Sequence, residues 1–175
     1  MPVEEVVLLD EAHRPIGRRD KALVHDAETP LHLGFSCYLL DDDGRVLITR
    51  RALTKRAWPG VWSNAFCGHP LPGEALEAAV ARRADVELGV ALTEITLLDS
   101  EFRYHARDDS GVVENEYCPV FRARARSSLT PNPDEVMAWQ WVSAKELIAA
   151  QAATPCVFSP WMVAQLARLA VRRAL

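Results

Sequence analysis

Two glutamates one residue apart, Glu114 and Glu116, interrupt an otherwise apolar run, Val112-Val113-Glu114-Asn115-Glu116-Tyr117-Cys118-Pro119-Val120-Phe121. If that run is a strand, alternation puts both carboxylates on one face beside Val112, Cys118 and Val120. Carboxylates side by side on an apolar face repel each other and lose their hydration. An exposed sheet edge, a shared proton or a bound cation would each relieve that cost, and the apolar neighbours favour the cation. Further donors exist among the histidines His13, His25, His32, His69 and His105. His25 and His32 flank the irregular Asp26-Ala27-Glu28-Thr29-Pro30, and His69 lies in Cys67-Gly68-His69-Pro70. Spacing alone does not gather these three around one ion. A mixed imidazole and carboxylate set suits a six-coordinate divalent ion such as Mn²⁺ or Mg²⁺, with Zn²⁺ as an alternative.

Three more features could carry chemistry. Cys67 is a loop cysteine with Gly68 beside it and His69 two residues on, a more reactive setting than that of a buried cysteine such as Cys37. Glu87 falls about 20° off the apolar stripe Leu76, Val80, Ala84, Leu88 of a helix, so it faces the core and needs a partner. Arg83, one turn back, is one candidate, and a metal or ligand cation is the other. Basic residues gather in Arg50-Arg51-Ala52-Leu53-Thr54-Lys55-Arg56 and at Lys21, where they could hold an anionic substrate. Trp58, Trp62 and Trp161 read as core residues, although a Trp face also stabilises a cation.

The elements that must position these residues are legible in outline. Val6–Leu9 reads as a first strand ended by a turn-rich Asp10–Gly17. Gly34–Leu40 and Arg45–Thr49 flank Asp41-Asp42-Asp43-Gly44 as a hairpin. Glu74–Leu88 contains neither Gly nor Pro and is followed by Gly89, the pattern of a helix with a glycine stop. Further strands are expected at Ile95–Leu98, Glu101–Tyr104, Val112–Arg122 and Met137–Val142. Ser143-Ala144-Lys145-Glu146 is a capping box opening a short helix. Ser159-Pro160 supplies an N-cap and first-turn proline for a last helix, with Arg168, Arg172 and Arg173 near its C-terminus. Strands with scattered helices, without regular βαβ alternation, predict an α/β or α+β sheet covered by helices.

Composition narrows the class of function. A chain of 175 residues with 49% hydrophobic and 25% charged residues fits one ordinary domain over residues 1–175. A net charge of −4 argues against general attraction to nucleic acid or anionic membrane. The start, Met1-Pro2-Val3-Glu4-Glu5, lacks the basic and apolar pattern of an export signal, and no run is apolar enough to span a bilayer. Cys37, Cys67, Cys118 and Cys156 are widely spaced and expected to be thiols in a cytoplasmic protein.

Arg50-Arg51-Ala52-Leu53-Thr54-Lys55-Arg56-Ala57-Trp58-Pro59-Gly60-Val61-Trp62, followed by Ser63-Asn64-Ala65-Phe66-Cys67-Gly68-His69-Pro70, closely resembles the type I isopentenyl-diphosphate isomerases. So do Phe102-Arg103-Tyr104, Val113 to Phe121 and Ser159-Pro160-Trp161-Met162. The resemblance runs from about Val6 to the last helix. It implies a Nudix-like α/β/α sandwich with a mixed sheet, acting as a monomer to interconvert isopentenyl and dimethylallyl diphosphates. It implies Mn²⁺ or Mg²⁺ ligands at His25, His32, His69, Glu114 and Glu116. It implies a second Mg²⁺, arriving with the substrate diphosphate, on Glu87 and the main-chain oxygen of Cys67. Cys67 and Glu116 match the catalytic pair, and Tyr104 matches a hydroxyl that assists the glutamate. Lys21, Arg51, Lys55 and Arg83 match diphosphate contacts, and Trp161 matches the aromatic facing the reacting carbons. The Nudix motif itself is degraded: Gly68, Glu74, Arg82, Glu87 and Gly89 keep its spacing, whereas Arg83 and Val86 replace glutamates that the hydrolases need for Mg²⁺. Two rival readings are a Nudix pyrophosphohydrolase and a metal-stabilised binding module without catalysis.

Overall fold

A hairpin of β1 (Glu5–Leu9) and β2 (Pro15–Asp20) opens the chain in the computed structural model, which describes residues 4–172. A single turn, α1 (Lys21–Val24), leads through an irregular segment to β3 (His32–Leu33) and then β4 (Phe35–Leu40). Next come β5 (Val46–Arg51), two short strands β6 (Trp62–Asn64) and β7 (Phe66–Gly68), and helix α2 (Leu76–Leu88). Strands β8 (Leu92–Asp99), β9 (Arg103–Arg107), β10 (Val113–Tyr117), β11 (Val120–Ala125) and β12 (Val136–Val142) come after it. Helix α3 (Ala144–Ala153), a 3₁₀ turn at Pro155–Val157 and helix α4 (Pro160–Arg172) complete the described chain.

The strands form two mixed sheets. The smaller has the order β2-β1-β3-β10-β9. The larger runs β12-β5-β4-β11-β8, with β6 added to β5 and β7 to β4. Both contain one parallel pair, β3 with β10 and β4 with β11. The same two stretches of chain therefore run side by side through both sheets. They change sheets at one level: Gly34 N donates to Tyr117 O at 2.9 Å, and Ser36 N to Pro119 O at 3.1 Å. Pro119 has no amide hydrogen to continue a ladder, so the single strand expected over Val112–Arg122 is two strands in two sheets. The expected turn at Asp10–Gly17 is also shorter than read. Polar, exposed β2 begins at Pro15, because pairing with β1 outweighs its weak strand pattern.

Alternation along β4 divides the larger sheet's two apolar faces. Phe35, Cys37 and Leu39 join Leu47, Ala65 and Phe121 in a core closed by Ala79, Val80, Ala84 and Leu88 of α2. Tyr38, Val46, Ile48 and Val120 face the other way, under Leu147 of α3 and Trp161, Met162, Leu166 and Leu169 of α4. Helices thus cover both faces, the α/β/α sandwich that the resemblance implied.

Local chemistry sets the helix ends. Ser143 accepts from the Glu146 amide to open α3, as the capping box predicted. Ser159 precedes α4 as expected, but its hydroxyl lies 2.8 Å from Ser63 Oγ and ties the helix to β6. Arg168, expected to offset the α4 dipole, instead donates to buried Asp99 Oδ2 at 2.7 Å. Arg173 lies outside the described residues, as does the side chain of Arg172. Gly89 ends α2 in the left-handed region, φ 58°, and its amide donates to Asp85 O at 2.9 Å. A Cβ there would also lie 2.8 Å from the Thr130 carbonyl oxygen. Gly89→Ala should therefore lower unfolding free energy by at least about 1 kcal/mol in urea titration, without touching the histidines and glutamates of the smaller sheet.

Candidate active site

The register of the smaller sheet places Glu116 between two of the candidate residues. It lies opposite His32 across β3 and opposite Tyr104 across β9. Glu114, two residues back on β10, points the same way, and both glutamates are buried. His25 follows α1 and His69 follows β7, bringing two more imidazoles to the same place. The ring centroids of His25, His32 and His69 lie 5.1–5.5 Å apart. Ligand atoms of these three and Glu116 all fall within 4.8 Å of one another. His25 Nε2 is 3.0 Å from Glu114 Oε2, and His69 Nε2 is 3.0 Å from Glu116 Oε1. His13 and His105 are elsewhere: His13 stacks on Tyr117, and His105 lies opposite Asn115 in the β9–β10 pair.

These residues fit a divalent cation. The His32 Nδ1–H donates to the Pro30 carbonyl at 2.9 Å, which fixes the tautomer and leaves Nε2 bare, 3.5 Å from Glu116 Oε1. His25 Nε2, His32 Nε2, His69 Nδ1 and Glu114 Oε2 are buried and make no hydrogen bond, although His25 and Glu114 face each other at 3.0 Å. Each such orphan ordinarily costs about 1–3 kcal/mol, so four together call for a ligand. Burial pushes His69 down to about 4, leaving a neutral imidazole. Burial works to raise Glu116, but the imidazoles of His32 and His69 beside it outweigh burial and hold the carboxyl well below its usual range. For His32, burial opposes the cation while Glu116 beside it prevails and raises the pKa. Ionised carboxylate and neutral imidazole are the ligating forms.

A cavity of about 600 Å³ opens in front of this cluster. His32 beside Glu116 is fully buried, and the other residues that the resemblance assigned to the site line the cavity. Cys67, on β7 of the larger sheet, lines it together with Glu116 and Tyr104 of the smaller sheet. Burial pushes the Cys67 thiol up to about 12, against hydrogen bonds from Ser36 and Asn64. Trp161 at the start of α4 both fills the core and lines this cavity. It is buried in the core, and its ring packs 5.7 Å from Tyr104 and edge-on to Trp58 at 5.5 Å.

The far wall is cationic, and each cation is already engaged. Lys21 Nζ donates to Glu4 Oε2 at 2.6 Å. Lys55 donates to Glu135. Arg51 donates to the Ala57 and Trp58 carbonyls at 2.8 and 3.1 Å, and its guanidinium sits 5.2 Å from the Trp161 ring centroid. Arg83 does pair with Glu87, at 2.5 Å, and also reaches Glu135 at 3.3 Å. Burial raises Glu87, with Arg83 opposing the shift, whereas in Glu135 the effect of burial is overcome by Lys55. Gly68 lets this wall approach, since a Cβ there would lie 2.7 Å from Arg83 Cγ. Arg82 fastens the loop before α2, donating to Glu74 at 2.7–2.8 Å and to the His69 carbonyl at 3.1 Å.

Three residues that the sequence reading gave no role also meet the site. Glu135 sits in an acidic loop with no distinguishing pattern. Asn64 was visible only as part of a motif, yet its amide touches Cys67 Sγ at 3.4 Å and accepts from Trp161 Nε1 at 3.0 Å. Ser36, a polar residue in an apolar strand, lies 3.2 Å from Cys67 Sγ, and that polarity was the available signal.

The NUDIX domain family model matches residues 30–162, the span that builds the larger sheet, α2 and most of the site. A MutT protein from Methanosarcina mazei Go1 superposes with a TM-score of 0.64 at 17% identity, over 83% of this chain and 97% of that one. A Deinococcus radiodurans protein superposes at 0.66 with 20% identity, over 86% and 90% of the two chains. Fold and site thus define a NUDIX-domain protein. The isopentenyl-diphosphate Delta-isomerase of Brevibacterium linens is 58% identical over 95% of this chain and 92% of its own. That of Klebsiella pneumoniae (strain 342) is 50% identical over the whole chain and 95% of its own. The chain belongs to the isopentenyl-diphosphate Delta-isomerase family. Among the described residues no helix is long and apolar enough to cross a membrane.

Because the orphaned imidazoles would gain a partner, a divalent cation should raise the melting temperature of chelator-treated protein. His32→Ala should abolish that shift, and thermal melts with and without Mn²⁺ or Mg²⁺ check both expectations.

Proposed function

We propose that the cavity interconverts isopentenyl and dimethylallyl diphosphates by moving one proton on and another off a five-carbon unit. In the forward direction C4 of the alkene gains a proton, the positive charge rests on tertiary C3, and C2 loses a proton to form the new double bond. Glu116 with the Tyr104 hydroxyl serves one carbon and Cys67 the other, and reversal of the reaction exchanges giving and taking. The observation that carries this reading is that two proton-handling groups from different sheets line one cavity beside an aromatic ring. An unactivated alkene is a very weak base, so the cation is the difficult species. The Trp161 face stabilises it, more strongly once bound substrate displaces water from the cavity.

The diphosphate is held and not cleaved. Lys21, Arg51, Lys55 and Arg83 exchange their present oxygen partners for phosphate oxygens. The histidines with Glu114 and Glu116 are assigned to Mn²⁺ or Mg²⁺, and Glu87 with the Cys67 main-chain oxygen to Mg²⁺ entering with the substrate. A bound divalent ion supplies positive charge that offsets the paired carboxylates and makes a proton on Glu116 more acidic. A pyrophosphohydrolase is disfavoured by Arg83 and Val86. Arg83 cancels the charge of Glu87, and Val86 is exposed to solvent on the outer side of α2.

Incubation with isopentenyl diphosphate and Mg²⁺ or Mn²⁺ should yield dimethylallyl diphosphate, and release of phosphate or a monophosphate instead would overturn the reading. Cys67→Ala and Glu116→Gln should each remove nearly all turnover, with exposed Cys156→Ala as the mild control. Retention of more than about a tenth of the rate by Cys67→Ala, a loss of only about 1.4 kcal/mol, would deny Cys67 its role. Trp161 is also a core residue, so Trp161→Phe and Trp161→Leu should both melt earlier. Assayed where both are folded, the Phe variant should keep the higher kcat, because a cation–π contact worth about 0.5–2 kcal/mol survives in part.

A further inference from the structure

A role for Ser36 rests on the isomerase chemistry, in which Cys67 Sγ needs hydrogen-bond partners twice in each cycle. The sulfur is once a thiol and once the thiolate left when its proton is on carbon. Two side chains reach it, and they are not equivalent. Asn64 Nδ2 is already committed to the Cys37 and Phe66 carbonyls at 3.1 and 2.8 Å. Asn64 Oδ1 already accepts from Trp161 Nε1 and from Ser63 Oγ, both at 3.0 Å. Its capacity is full, so it braces Cys67 without being free to answer a change in charge.

Ser36 is different. It is the cross-strand partner of Cys67 in the β4–β7 pair and is fully buried. Its oxygen accepts from Gln165 Nε2 at 2.9 Å, and that amide is oriented in turn by the Tyr38 hydroxyl, which donates to Gln165 Oε1 at 3.0 Å. With Gln165 donating, the Ser36 hydroxyl hydrogen is left for a sulfur, and two stand in reach: Cys67 at 3.2 Å and Cys118 at 3.4 Å.

We infer that Ser36 is a positioning residue for Cys67, a buried hydroxyl that turns between two sulfurs while Gln165 of α4 holds its oxygen still. When Cys67 carries its proton, the S–H donates to Ser36 Oγ and the Ser36 hydrogen points to Cys118. When the proton is on substrate, the Ser36 hydrogen turns to the Cys67 sulfur. No heavy atom moves and no proton leaves Ser36, so the donor is in place before the charge develops.

The test uses the metal-loaded wild-type protein and variants with isopentenyl diphosphate, assayed well below each melting temperature. Ser36→Ala should lower kcat by about ten- to a hundredfold, as for a lost hydrogen bond to a charged group, with KM changed by less than about twofold. Ser36→Thr restores the hydroxyl and should recover most of the loss. Gln165→Glu keeps shape and still accepts from Tyr38, but its carboxylate takes the Ser36 hydrogen, so kcat should fall as in Ser36→Ala even where Ser36→Thr folds poorly. Wild-type kcat in Ser36→Ala or in Gln165→Glu overturns the inference, as does an equal loss in folded Ala and Thr variants. Cys67→Ala run alongside separates the two levels: its activity would overturn the isomerase chemistry itself, and its inactivity beside a fully active Ser36→Ala would overturn only the role of Ser36.

Discussion

Glu114 and Glu116 leave water together on one face of β10, and buried carboxylates this close demand positive charge around them. Much of the surrounding architecture answers that demand. The short β3 is placed so that His32 stands beside Glu116, and the Pro30 carbonyl turns the ring so that its bare nitrogen faces inward. The irregular chain after α1 and the loop after β7 deliver His25 and His69 to the same point. Even with all three imidazoles in place, polar atoms remain unsatisfied, which makes the cluster compatible with a divalent ion.

The opposite end of the cavity shows the reverse condition: cations buried with carboxylates already attached. Glu4, Glu87 and Glu135 keep Lys21, Arg83 and Lys55 ordered in the absence of substrate. In the proposed function an incoming diphosphate would trade one oxygen partner for another without having to organise loose side chains. The same scaffold in a hydrolase needs acids along this helix to hold Mg²⁺ against a bond that breaks. Here Arg83 and Val86 stand in their place, and under the proposed function the helix would anchor a diphosphate without helping to cleave it, with fold and function parting company.

How much of this the sequence disclosed depends on how local each determinant is. The α2 helix, its glycine stop, the β4–β5 hairpin and the capping box of α3 follow from short-range chemistry and stand as read. The face shared by Glu114 and Glu116 follows from alternation alone. By contrast, nothing local reports that the chain leaves one sheet at Tyr117 and joins another at Val120. Nor does polar β2 reveal itself without the partner that recruits it. The assignment of five metal ligands and a catalytic pair came from resemblance. Beyond that, the residues themselves pointed to a cation near Glu114 and Glu116, an unusual Cys67 and Glu87, and a basic run suited to an anion. Glu135 and Asn64 escaped because their significance lies wholly in what the fold brings near them.

The paired crossing at Gly34 and at Cys118-Pro119 has a consequence for the chemistry. Cys67 hangs from the larger sheet, while Glu116 and Tyr104 hang from the smaller. The two sheets are bound by a pair of parallel backbones that step across the seam at the same level. The gap between Cys67 and the Glu116–Tyr104 pair is therefore set by main chain, like the fixed opening of a caliper. Side chains along the cavity can be exchanged without resetting that gauge. In the proposed reaction, a flat five-carbon unit that takes a proton on one face and loses one from the other would sit within such a gauge.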